Sequence, residues 1–170
     1  NDNYITSLDV SNNLSLTTLY FQYNSISSID VSNNISLIHF SCSSNSLTSL
    51  DISNNINLEY CYSNSNSLAT IDLSNNLKLK SLYVNSNSLT SLDVSNNLDL
   101  QELYCKLNSL TSLDVSNNTD LTDLLCDGNS LISLNIANGN NTNLLDFDAS
   151  GNSNLTCIEV DDVNYSTTNW

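Results

Sequence analysis

Six residues, Leu-Asp-Val-Ser-Asn-Asn from Leu8 to Asn13, return in near-identical form at Ile29, Leu50, Ile71, Leu92 and Leu113, and once more, loosened to Leu-Asn-Ile-Ala-Asn-Gly, at Leu134. Each start follows the last by 21 residues. A fixed period of this length marks a solenoid, in which one short unit is copied and stacked so that each turn buries its apolar face against the next. The chain is therefore expected to form a single array over residues 1–170, of about seven repeats starting at 8, 29, 50, 71, 92, 113 and 134, with an irregular end turn and cap over 138–170.

Between one phrase and the next lies a second apolar pattern, Leu16-x-x-Leu19-x-Phe21-x-x-Asn24-x-Ile26, and the phrase obeys the same rule, since Ile26-x-x-Ile29-x-Val31-x-x-Asn34 matches it. Each 21-residue turn is thus two similar half-turns of ten and eleven residues. The L-x-L triplets alternate with period two, as strands do, and no stretch carries the 3.6-residue period of a helix. Two short parallel strands per turn and little or no helix are expected, with neighbouring turns about 4.8 Å apart. An extra stretch, Asn138 to Asn143, delays the seventh unit so that Phe147, Ala149 and Asn152 take the usual slots.

Composition narrows the function classes. A formal net charge of −15 argues against binding to a nucleic-acid backbone or an anionic lipid surface. No apolar run approaches the roughly 18 residues a spanning helix needs, so direct membrane insertion is not expected. The chain contains no Met and opens on Asn1 with half a repeat, which points to a fragment of a longer protein. Proline is absent, and the turns must be built by Asn, Ser and Asp, whose side chains bond nearby backbone groups.

The combined pattern LxxLxLxxNxLxxLDLxxN, with Cys tolerated at the second strand position, resembles the nested ten-plus-eleven bacterial leucine-rich repeat known as the IRREKO class, over roughly Ile5 to Val160. The tail from Asn154 to Trp170 resembles the end-cap of repeat arrays in bacterial surface proteins exported through the type IX pathway. The resemblance implies a leucine-rich repeat solenoid, secreted or displayed on the cell surface. It also implies a cap that runs on to a further Cys and a sorting domain, so that Trp170 would mark a truncation and Cys157 would lack its partner.

Stacking in register turns each repeat position into a column. The columns Asn13, Asn34, Asn55, Asn76, Asn97, Asn118 and Asn24, Asn45, Asn66, Asn87, Asn108, Asn129 stand where strands end, where side-chain amides can donate to and accept from unpaired backbone groups and bond one another along the axis. The column Asp9, Asp30, Asp51, Asp72, Asp93, Asp114 sets like charges on neighbouring turns. Its repulsion must be offset either by hydrogen bonds from adjacent Ser groups and amides or by a cation such as Ca²⁺. Of the five Cys, Cys42, Cys61, Cys105 and Cys126 fall on inward slots and should pack as small apolar residues without a zinc pattern; Cys105 and Cys126 are close enough on successive turns to invite a bridge, though facing positions on parallel neighbours rarely suit disulfide geometry.

Outward positions of the other half-turn vary, which frees them for recognition. Tyr20, Tyr62, Tyr83 and Tyr104 share one column, with Tyr23, His39 and Tyr60 near them, and exposed Tyr offers contact area and a hydroxyl at small entropic cost. Asp123, Asp127, Asp146 and Asp148 gather at the C-terminal end of this face and read first as a solvated acidic edge, then as weak candidates for a cation site or a glycosidase pair. A single histidine and the absence of a nucleophile-elbow motif leave no catalytic constellation. Flat Thr positions Thr6, Thr48, Thr90 and Thr111 raise ice binding, but Ser27, Ala69 and Ile132 break that column. The reading that follows is a non-enzymatic module, without a required cofactor, that binds a protein or glycan through the Tyr face. The alternative is a self-assembling spacer in a larger surface complex.

Overall fold

A computed structural model describes residues 3–169; Asn1, Asp2 and Trp170 lie outside the described residues, and with them the truncation expected at Trp170. Seven three-residue strands, one per turn, form a parallel sheet: β1 (Thr18–Tyr20), β2 (His39–Ser41), β3 (Tyr60–Tyr62), β4 (Ser81–Tyr83), β5 (Glu102–Tyr104), β7 (Asp123–Leu125) and β9 (Asp146–Asp148). Their register is uniform, with Leu19, Phe40, Cys61, Leu82, Leu103, Leu124 and Phe147 paired in series and turned inward. Inside, these side chains meet the Val10, Val31, Ile52 and Val94 positions of the opposite half-turn in one continuous core. Phe21 and Phe40 contact edge to face there, with centroids 5.8 Å apart.

The phrase half-turn departs from the expected symmetry. Its L-x-V segments pair as a sheet only toward the C-terminus, where β6 (Ser112–Asp114), β8 (Ser133–Asn135) and β10 (Ile158–Glu159) form three parallel strands. In earlier turns the same segments run side by side without strand pairing, and the corners are tied instead by bonds such as Ser46 N–H to the Ile26 carbonyl and Ser67 N–H to Leu47. Among the described residues, helix is confined to a 3-10 turn, Asn141–Asn143, and a terminal helix α1, Val163–Asn169.

Two devices close the two half-turns. After each phrase the chain makes two successive tight turns, Asn34 N–H to Val31 and Leu37 N–H to Asn34, and the buried Asn34 amide donates to the Val10 and Asn13 carbonyls of the turn before, at 3.0 and 2.9 Å. Asn55, Asn76, Asn97 and Asn118 repeat this, yet the amide oxygen of each of the five is buried without a partner. The expectation that these amides both donate and accept, bonding one another along the axis, is therefore corrected. They donate to backbone carbonyls, because the turn geometry points two acceptors and no N–H at each side chain.

The other Asn column does act in both directions. Asn66 donates to the Cys42, Ser63 and Asn64 carbonyls and accepts the Leu47 N–H at 3.0 Å. Just before it the backbone swings through the left-handed region, at Tyr23, Ser44, Ser65, Ser86 and Leu107 with φ of 52–59°, then at Gly128 and Gly151 with φ of 66° and 69°. Only glycine adopts this conformation without steric cost.

The inserted stretch is locked to the C-terminal segment. Asn141 is buried, donates to the Ile136 carbonyl and accepts the Asp161 N–H at 2.8 Å, while the Asp161 carboxylate accepts the Gly139 and Asn141 N–H groups. This clasp absorbs the extra residues, so that β9 regains register and Asn152 accepts the Leu131 N–H as its column requires.

Candidate functional site: the aromatic sheet face

Two outward columns cross the seven-stranded sheet. One reads Thr18, His39, Tyr60, Ser81, Glu102, Asp123, Asp146; the other reads Tyr20, Ser41, Tyr62, Tyr83, Tyr104, Leu125, Asp148. Hydrogen-bonded strands sit about 4.8 Å apart, within the range of centroid separations of offset-stacked aromatic rings. Neighbouring rings are therefore pressed together. His39 and Tyr60 stack with centroids 4.6 Å apart and planes 8° from parallel, and Tyr83 and Tyr104 stack at 4.2 Å and 10°. Tyr62 leans on Tyr83 at 4.7 Å with a 53° tilt.

Ring faces thus point along the solenoid axis, and ring edges and hydroxyls point outward. Small residues set the relief: Ser41 and Ser81 are buried beneath taller neighbours, so Tyr20 stands apart from Tyr62 on the far side of a notch at Ser41. Glu102, a residue for which the sequence pattern signalled no role, accepts hydrogen bonds from the Tyr83 and Ser81 hydroxyls, both at 2.8 Å. Partial burial, reinforced by that carboxylate, pushes the Tyr83 phenol well above its ordinary range; desolvation also raises Tyr62 and Tyr104. These hydroxyls stay protonated donors at any physiological pH.

Of the residues singled out from sequence, His39 and Tyr60 form one half-buried stack and Tyr62, Tyr83 and Tyr104 a second in the neighbouring column, together an aromatic ladder across the face. Tyr20 lies on the same face, 49% exposed. Tyr23 belongs to the left-handed turn that follows β1 and stands outside the ladder.

Three carboxylates of the acidic edge have separate partners. Asp127 forms an ion pair with Lys106 at 3.4 Å, Asp123 accepts the Thr122 hydroxyl at 2.6 Å, Asp148 accepts the Ser150 N–H at 2.8 Å, and Asp146 pairs in register with Asp123. Among the described residues no group of three or more His, Cys, Asp or Glu is placed to hold a metal ion, so the weak metal candidates Asp123, Asp127, Asp146 and Asp148 do not converge into a site.

On the phrase face, each Asp of the column accepts the N–H of the Ser two residues on, from Asp9 to Ser11 through Asp114 to Ser116, at 2.9–3.0 Å. These bonds from Ser hold all six carboxyls below the usual carboxylate range. The column is thus a row of turn-forming caps. The four inward thiols are buried and unbridged, and burial pushes Cys61 and Cys126 up to about 12, leaving them inert packing groups; Cys157 is exposed.

No protein-family model matches the chain, and no curated protein matches it by sequence. Solved structures do. The internalin InlF of Listeria monocytogenes superposes with a TM-score of 0.76 at 21% identity, covering 91% of this chain and 50% of its own. The functional domain of InlJ from the same organism, described as including a cysteine ladder, gives 0.54 at 25% identity over 91% of this chain and 48% of its own. The leucine-rich repeat ectodomain of a plant membrane receptor kinase from Arabidopsis thaliana, in complex with Casparian strip integrity factor 2, gives 0.68 at 25% identity over 75% of this chain and 17% of its own. This chain spans about half the length of the two internalins. The shared architecture is a leucine-rich repeat solenoid, here of about seven 21-residue turns with nearly no helix.

Proposed function

We propose that this chain is the non-enzymatic protein-binding module of a secreted or surface-displayed bacterial protein, and that its ligand lies across the ladder from His39 to Tyr104. One observation carries the reading: the outward aromatic side chains of the seven-stranded sheet from β2 to β5 are in ring contact at 4.2–4.7 Å and ordered by the strand ladder beneath them. A surface so ordered loses little side-chain entropy on binding. The solved neighbours support the class, since internalins share the fold and the plant ectodomain was solved in complex with Casparian strip integrity factor 2. The 21-residue nested spacing fits the IRREKO-type repeat, with residues 138–170 as its end turn and cap.

Ring orientation favours protein over glycan. A sugar docks by laying its C–H surface on an open aromatic face, whereas here the faces cover one another and the edges and hydroxyls look outward. Donor hydroxyls in a row suit the carbonyls and polar side chains of a polypeptide.

The test is a screen of extracellular proteins and of a glycan array, followed by the double substitution Tyr62→Ala and Tyr83→Ala. Protein capture should fall by at least 100-fold while the melting temperature drops by only a few degrees, and Asp51→Ala on the opposite face should leave capture unchanged. Capture retained by the double variant, or binding confined to glycans, would overturn the proposal.

A further inference from the structure

One carboxylate stands inside the aromatic ladder. Tyr60, Ser81 and Glu102 follow one another in register on β3, β4 and β5, so a single small residue separates the Tyr60 ring from the acid. Glu102 leans back across that gap, because its Oε2 accepts both the Ser81 and the Tyr83 hydroxyl protons at 2.8 Å. Two donors on one oxygen fix the side chain. Among the described residues none donates to the other oxygen, Oε1, which stays open to solvent. The ring across the gap is half open as well: His39 covers one face of Tyr60 from the turn before, and the opposite face looks toward Ser81 and Glu102.

The chain supplies no cation to this place. Its three basic residues are Lys78, Lys80 and Lys106, and all are engaged elsewhere: Lys78 donates to Asn57 at 2.7 Å, Lys80 pairs with Glu59 at 2.8 Å and Lys106 with Asp127 at 3.4 Å. A ligand lying from His39 to Tyr104 must cover Glu102. Covering a carboxylate with a neutral surface costs its solvation, whereas a cation in the ligand compensates it.

We infer, building on the protein-binding reading above, that the polypeptide on this face presents a basic side chain, arginine in preference to lysine, to Glu102 Oε1 and the open face of Tyr60. Ring and carboxylate attract the same charge. A planar guanidinium can lie against the ring while its N–H groups reach the carboxylate, and it sheds water more readily than an ammonium does. The field favours the same end of the face, since Asp123 and Asp146 continue the Glu102 column on the next two turns. A hard metal ion fits less well, because among the described residues no group of three acidic, His or Cys side chains converges on one point.

A phage-displayed library of random peptides of about 12 residues, selected on the full chain, supplies the probe. Recovered peptides should be enriched in Arg at least about threefold over the library. Their affinity should fall at least tenfold with Glu102→Gln, which can still accept both hydroxyls but carries no charge, while Asp120→Asn, an equal change of charge at an exposed position off the face, should leave it unchanged. Replacing the peptide Arg with neutral citrulline should cost a similar factor on the parent chain and little on Glu102→Gln, the mark of direct pairing. Binders without basic enrichment, equal effects of Glu102→Gln and Asp120→Asn, or a citrulline penalty that persists in Glu102→Gln would each overturn the inference. Binders that need Tyr62 and Tyr83 but not Glu102 would remove the basic anchor alone and leave the protein-binding face standing. A library that yields no binder, or only binders indifferent to the paired Tyr62→Ala and Tyr83→Ala substitutions, would overturn both.

Discussion

The two half-turns of each repeat start from the same spacing of Leu, Leu, apolar and Asn, yet they do different work. One forms a seven-stranded ladder whose outward positions change from turn to turn; the other repeats Asp and Ser almost unchanged and pairs as strands only near the end. Their Asn residues record the difference. Asn66 and its equivalents accept a backbone N–H from the turn before, whereas Asn55 and its equivalents donate only and bury an unpaired oxygen. Side-chain closure of a turn therefore comes in two grades, and the well-satisfied grade lies beside the face that varies. A rigid turn next to a variable surface allows substitutions there without loss of register.

The largest expected effect comes from removing one amide of each kind. Asn129→Ala strands the buried Leu110 N–H and takes one of two amide donors from each of the Cys105 and Cys126 carbonyls, which keep those of Asn108 and Asn152, and should cost about 2–3 kcal/mol. Asn55→Ala takes one donor from each of the Val31 and Asn34 carbonyls, which keep the Asn34 and Leu37 N–H groups, and also removes an unpaired oxygen, so it should cost only about 1 kcal/mol. Denaturant titration of both variants measures the gap, and equal losses would erase the distinction between the columns.

Next in size is the left-handed column. Gly128→Ala imposes a side chain at φ +66° with its Cβ 2.7 Å from a flexible Leu107 methyl, which can shift, so backbone strain dominates at about 1 kcal/mol. Ser65→Gly relieves the same strain at φ 54° and should stabilise by roughly 0.5 kcal/mol, the entropy of a freer unfolded chain offsetting part of the gain. A shift of the same sign in both would refute the strain account.

The smallest effect at neutral pH, and the most specific, concerns the Asp column. Its carboxyls titrate lower in the folded state than in the unfolded chain, so their stabilisation is present above the ordinary carboxylate value of 3.8 and is lost as pH falls through the folded one. The seventh turn shows how to separate charge from hydrogen bond, for Asn135 accepts the Ala137 N–H at 3.0 Å just as the Asp residues accept from Ser. Asp51→Asn and Asp72→Asn together should leave the melting temperature at pH 7 within a degree or two of the parent and flatten its decline between pH 5 and 2. A steep neutral-pH loss would mean that the charges themselves hold the column, as a bound cation would require.

Much of this was legible in the chain. The 21-residue period placed Leu19, Phe40, Leu82 and Leu103 in the core, the Asn columns at the turns and the Tyr residues on one face, because in a solenoid a residue's environment depends on its place in the repeat. The turn at the Asp column was readable too, since an Asp accepting from the residue two ahead is a local event. Whether ring faces or edges meet the solvent, whether an amide oxygen finds an N–H, and which carboxylates share a partner depend on atoms in the turns above and below at about 4.8 Å. Local sequence thus determined the repeating unit and its inward side. Only stacking in three dimensions decided how the side chains of successive units complete, or fail to complete, one another.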